Sequence, residues 1–178
     1  MGQLYGKEQV GKTKVEALHS VVTSLCGENK LTTCFEEVKP SEGNWLDYVN
    51  FSAVVCTTFD SIKARKIVYE RWKDYGVEGS LFIDGRMSIE NGQVFTLIKS
   101  KTTDYKFYEG TFFNDDEIPE APCTLKATSH CGALIASLMT SQITNYMTNL
   151  DKTNMERTLV RQLDFNLPLS SYEQSTHN

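Results

Sequence analysis

The spacing of apolar residues changes several times along this chain, and each spacing predicts a different element. From Gly11 to Cys26, Val15, Leu18, Val22 and Leu25 fall on one face at helical spacing, and Gly27 stands where such a helix would stop. Leu31 to Val38 is rich in Thr, Phe and Val and predicts a strand, which Pro40, Ser41 and Gly43 punctuate before a short helical stretch at Trp45 to Val49. Phe51 to Thr58 is a continuous apolar run of strand length, the pattern of a buried parallel strand. Between Asp60 and Tyr75, Ile62, Ile67, Val68 and Trp72 recur at helical spacing behind an aspartate able to cap the helix, and Gly76 and Gly79 close it.

Ser80 to Asp84 predicts another buried strand. Met87 to Ile98 contains Asn91-Gly92, a strong hairpin signal, followed by an alternating apolar strand. Tyr105 to Phe112 is expected to add a third antiparallel strand. Asn114 to Pro122 is acidic, holds two prolines and predicts a loop. His130 to Leu150 predicts a long helix with Leu134, Ile135, Leu138 and Met139 on its buried side, and Leu159 to Leu169 a last strand. The polar end from Ser170 is expected to be loose, which makes residues 1–169 one domain and 170–178 a tail. Strands separated by helices imply an α/β fold on a mostly parallel sheet, with an antiparallel hairpin as its extension.

Composition narrows the class. The chain has 178 residues, 40% of them hydrophobic and 23% charged, values of a globular domain long enough to bury a core. No apolar run approaches a bilayer span and the first residues lack the apolar stretch of a signal peptide, so a cytoplasmic protein with no membrane partner is expected. A net charge of -5 argues against nonspecific nucleic-acid binding, which needs a surplus of cations on one face. Five cysteines, Cys26, Cys34, Cys56, Cys123 and Cys131, with no CxxC pair, suit reduced thiols rather than disulfides or a closed zinc site.

Three segments, in order, carry a resemblance. Gly2 to Leu18 places Gln3 ahead of a Val-Gly-x-x-Lys that opens a helix; Ser52 to Arg65 joins an apolar strand to Asp-Ser-x-x-x-Arg; Pro122 to His130 begins Pro-Cys-Thr. Together with the hairpin FIDGRMSIENGQVFTL, they resemble the ThiF-type adenylyltransferases, the superfamily that includes the activating enzymes of ubiquitin-like proteins. The resemblance implies a Rossmann-like fold, ATP and Mg2+ as cofactors, a ubiquitin-like or sulfur-carrier protein as partner, and a homo- or heterodimer. It also exposes a gap. The family's opening strand, Gly-rich phosphate loop and ribose-binding acid have no counterpart in this sequence. The resemblance therefore implies a chain incomplete by itself: a fragment, an internal start, or a chain whose partner supplies the remainder.

By the same resemblance, Asp60 beyond the end of a parallel strand would hold magnesium, Lys14 and Lys12 would neutralise phosphate charge, and Gln3 would lie near the nucleotide. Arg65 would point to the same site or pair with a helix carboxylate. Cys123 would accept the acyl group as a thioester, a role its acidic surroundings oppose by holding a thiol protonated. Each residue also has a structural alternative: a helix cap for Asp60, a solvated helix face for the lysines, and a buried small side chain for Cys56 and Cys131. A noncatalytic partner subunit that binds another protein, or a dehydrogenase-like nucleotide-binding domain, remain the competing functions.

Overall fold

A computed structural model describes residues 6–27, 32–100, 102–113, 128–152 and 155–176. After a single turn of 3-10 helix at Lys7–Gln9, the elements run α1 (Lys14–Cys26), α2 (Trp45–Phe51), β1 (Val54–Thr57), α3 (Ile62–Tyr75), β2 (Leu81–Ser88), β3 (Asn91–Ile98), α4 (Thr102–Glu109), α5 (Ser129–Leu150), β4 (Val160–Asn166) and β5 (Ser171–Thr176). The five strands form one sheet in the order β1-β2-β3-β4-β5. Among the described residues only β1 and β2 pair in parallel, Val54 opposite Leu81, and the other three pairings are antiparallel. The fold is thus α/β, but the sheet is mixed and mostly antiparallel: α3 returns the chain to run β2 parallel to β1, short turns join β2 to β3 and β4 to β5, and the connection through α4 and α5 brings β4 back antiparallel to β3.

Alternation of side chains across the pleat divides the core in two. Phe82, Phe95 and Leu97 face α2, α3 and α4, where they pack with Trp45, Val49, Val68, Tyr69, Trp72 and Tyr108. Ile83 and Val94 face α5, with Cys131, Ile135, Met139, Leu163 and Phe165. The first layer is strongly aromatic: the Tyr69 ring lies 4.9 Å from that of Tyr108 and 5.6 Å from that of Phe82. Such pairs favour tilted and edge-on contacts over flat stacking. Among the described residues, no helix is long and apolar enough to cross a membrane.

Several elements differ from expectation. Residues 32–38 form no strand; Glu36 instead accepts bonds from the Asn44 backbone and side-chain amides at 2.8 and 2.7 Å and fastens this segment to the start of α2. Tyr105 to Phe112 is not a strand but mostly the helix α4. Tyr105 and Tyr108 fall three residues apart on one face of α4, and Phe112, just beyond its end, joins them in the aromatic layer. The polar end is not loose either: Ser171–Thr176 is the edge strand β5, held by its backbone to β4. On α1 the expected apolar stripe stays open, with Leu18 50% and Leu25 79% exposed and Ala17 its one buried residue.

The β2-β3 hairpin is present, but Asn91-Gly92 is not its turn. Ser88 pairs with Asn91 and Met87 with Gly92, which leaves Ile89 and Glu90 as the two-residue loop, Ile89 at φ 54°. Gly92 serves packing instead. A Cβ built there would sit 2.4 Å from the Phe165 ring and 2.8 Å from Ile135. Gly92→Ala is therefore expected to lower stability by about 1–3 kcal/mol, the usual cost of overpacking, read as a lower urea midpoint with an unchanged slope.

On the outer side of the aromatic layer, Lys73 of α3 donates to Glu109 of α4 at 2.6 Å and Tyr69 donates to the same oxygen at 3.0 Å. The Lys73 ammonium holds the Glu109 carboxyl below its ordinary value of 4.5. A depressed carboxyl contributes stability that is present above the unfolded value and lost as pH falls through the folded one. Glu109→Gln is expected to be the less stable form near neutral pH, with the difference shrinking below about pH 4.5; urea titrations at the two ends of that range measure it.

Candidate functional site

At one end of the sheet, the loop after β1, the first turns of α3, the end of β2, the β3-β4-β5 ends and α5 enclose a cleft of about 880 Å³. That volume lies within the range of small-molecule and cofactor sites. Asp60 and Arg65 both line it. Asp60 is exposed in the loop between β1 and α3, at the carboxyl end of the parallel strand, where open α/β sheets place their ligands. It does not cap α3. Ser61 holds that position, its hydroxyl accepting from the Ala64 backbone N–H at 3.2 Å, so Asp60 stands one residue outside the helix.

Arg65 is turned inward and only 5% exposed. Its guanidinium donates to Asp84 of β2, to the Gly85 carbonyl at 2.9 Å and to the Phe59 carbonyl, which ties the β1-α3 loop to the sheet. Its carboxylate partner therefore belongs to a strand and not to a helix. Asp84 is fully buried and receives four donors: Thr57 Oγ1 at 2.7 Å and Arg65 on Oδ1, Arg86 Nε at 2.7 Å and Tyr108 OH at 2.9 Å on Oδ2. Arg86 also donates to the Thr111 carbonyl at 3.2 Å and lies over the rings of Phe95 and Tyr108, 4.5 and 5.2 Å from their centres. Burial, and the Asp84 carboxylate beside it, push the Tyr108 phenol far up, so Tyr108 acts as a donor at all physiological pH.

Asp84 and Arg86 were not signalled by the sequence. Asp84 ends the apolar run LFID and reads as the close of a strand, while Arg86 follows a glycine inside a hairpin; the hairpin carried part of the resemblance, but neither residue was given a role. The only pointer was the presence of charge within a strand expected to be buried on both faces.

Other expected site residues are dispersed. Lys14 is the first residue of α1 and Lys12 precedes the Thr13 capping box; both are exposed, and neither is among the described residues that line the cleft. Gln3 and Cys123 lie outside the described residues. Cys131 is buried in α5, as expected, and its thiol faces the Asn91 carbonyl at 3.7 Å. Cys56 is exposed, contrary to expectation, because β1 is the edge strand of the described sheet and α5 covers β2 and β3 rather than β1. The described residues contain no group of three or more His, Cys, Asp or Glu able to hold a metal ion.

The chain belongs to the ThiF family, whose model matches residues 2–177. The mixed α/β sheet with helices on both faces is consistent with the Rossmann-like fold of that family. No curated protein matches the chain at a significant level.

With both oxygens of Asp84 occupied by charged and hydroxyl donors, Asp84→Ala is expected to destabilise the protein by about 3–5 kcal/mol, since it strands two guanidiniums around an uncompensated site. Thr57→Val, which removes one neutral donor, should cost about 1 kcal/mol. Paired denaturant titrations distinguish the two.

Proposed function

We propose that this chain acts in ATP-dependent adenylyl transfer of the ThiF type, activating the C-terminal glycine of a ubiquitin-like or sulfur-carrier protein. Membership of the family supports the reaction class. The observation that carries it to this molecule is the position of Asp60: released from helix capping by Ser61, at the carboxyl end of the one parallel strand pair, in the same cleft as Arg65.

In the proposed reaction an oxygen of the glycine carboxylate bonds to the α-phosphorus of ATP while the bond to the departing pyrophosphate breaks, leaving an acyl-adenylate. This is chemistry of positioning and charge neutralisation. The residues present fit the cofactors: an exposed carboxylate oxygen suits a hard divalent cation, and a cleft of about 880 Å³ has room for nucleotide and peptide tail groups. Magnesium bound there would neutralise phosphate charge. Asp60 would hold the ion, and Arg65 would keep the Phe59 to Asp60 loop fixed against β2 through its bonds to Phe59, Asp84 and Gly85. Lys12 and Lys14 would serve the nucleotide only if α1 and the cleft met in a complex, which fits a dimer or a second polypeptide.

Because no GxGxxG phosphate loop occurs in the sequence, the test is ATP-pyrophosphate exchange with a glycine-ending carrier protein, by the chain alone and with a polypeptide supplying such a loop. Exchange is expected in the second case, and Asp60→Asn should lower it about 100-fold or more. Lys66→Gln, at an exposed position of α3 outside the cleft, should leave it unchanged. Absence of exchange in every combination would sink the proposal and favour a protein-binding role.

A further inference from the structure

The Asp84 cluster is unbalanced. One buried carboxylate faces two guanidiniums, and its two oxygens already receive four donors, so it has no capacity left for either arginine. A surplus positive charge in a weakly solvated place is costly unless an anion answers it. Two donors are also unspent: Arg65 Nε and Arg86 Nη2 are buried, with no hydrogen-bond partner among the described residues. Both arginines line the cleft. The acids that share this lining, Asp60, Asp164 and Glu173, make no ion pair with either arginine among the described residues, and Asp164 is instead engaged by the side-chain amides of Gln93 at 2.7 Å and Gln162 at 2.6 Å.

We infer that Arg86, held by Asp84 and backed by Arg65, is an oxyanion-binding residue of the cleft, and that a ligand supplies the counter-charge that the described residues lack. A guanidinium suits this role because its planar fork binds two oxygens of a phosphate or carboxylate at once and its charge does not titrate. The aromatic layer under it, Phe95, Tyr108 and Phe112, shapes the place in which the fork sits. Asp84 is the positioning residue: it fixes Nε, the Thr111 carbonyl takes Nη1, and Nη2 is left without a partner among the described residues. Phosphate and carboxylate oxygens share this chemistry. The inference rests on the proposed adenylyl transfer only for which two anions to offer.

The experiment titrates inorganic pyrophosphate and, separately, N-acetylglycine into the full chain at low salt, following binding by calorimetry and thermal midpoint. At least one anion should bind the wild type. Pyrophosphate alone would assign the site to a phosphate group, N-acetylglycine alone to the tail carboxylate. Arg86→Gln should weaken that binding at least about tenfold, the scale of one charged hydrogen bond, and Arg86→Lys should recover part of it; Lys66→Gln should bind as the wild type does. Should neither anion bind or stabilise the wild type, or should folded Arg86→Gln bind it equally well, the inference is overturned. Failure of the exchange assay with anion binding intact would count against adenylyl transfer alone.

Discussion

A single buried carboxylate organises this molecule. Asp84 sits at the middle of the sheet end, where it receives Thr57 from β1, Arg65 from α3, Tyr108 from α4 and Arg86 from its own strand. Four elements thereby share one anchor. Within a low-dielectric interior such a cluster is strong when complete and costly when broken, which favours one arrangement of the strands and helices over its neighbours. It also sets the floor of the cleft, because the same bonds that satisfy Asp84 hold the Phe59 to Asp60 loop at its rim through Arg65.

Around that anchor the two faces of the sheet do different work. The aromatic layer beneath α2, α3 and α4 meets the charged cluster at Arg86, whose guanidinium lies over the rings of Phe95 and Tyr108. The opposite layer, under α5, is aliphatic and close-fitting; Gly92 exists there to let Phe165 and Ile135 approach the hairpin. The cleft opens where the two layers end, so its walls are polar toward Asp60 and Asp164 and apolar toward Ile135 and Met139. That mixture is what an anionic ligand with an organic body requires.

Ile89 illustrates how tertiary packing overrides a local signal. Asn-Gly is favoured in a two-residue hairpin turn because both residues tolerate positive φ, yet the turn falls on Ile89 and Glu90, with Ile89 at φ 54°. Moving the turn to Asn91-Gly92 would slide β2 by four residues against β3, carry Phe82 away from its partner Leu97, and take Gly92 out of the strand that pairs it with Phe165. Burial of several large side chains outweighs the backbone preference of one loop. The same balance puts Tyr105 to Glu109 in a helix rather than a strand, since helical spacing brings Tyr105 and Tyr108 to one core.

The sequence by itself determined the elements whose apolar pattern is unambiguous: α2, β1, α3, β2, β3, α5 and β4, the α/β class, and the placing of Asp60 at the end of a parallel strand. These are local properties, written in spacing over a few residues. Only the tertiary structure decided which strands neighbour one another, that polar Ser171–Thr176 completes the sheet through its backbone, and that Cys56 lies exposed at an edge. It alone brought Asp84 and Arg86 into the site. Their significance arises from a carboxylate and two guanidiniums, drawn from different segments, sharing one buried volume, and no spacing along the chain encodes a charge balance made in three dimensions.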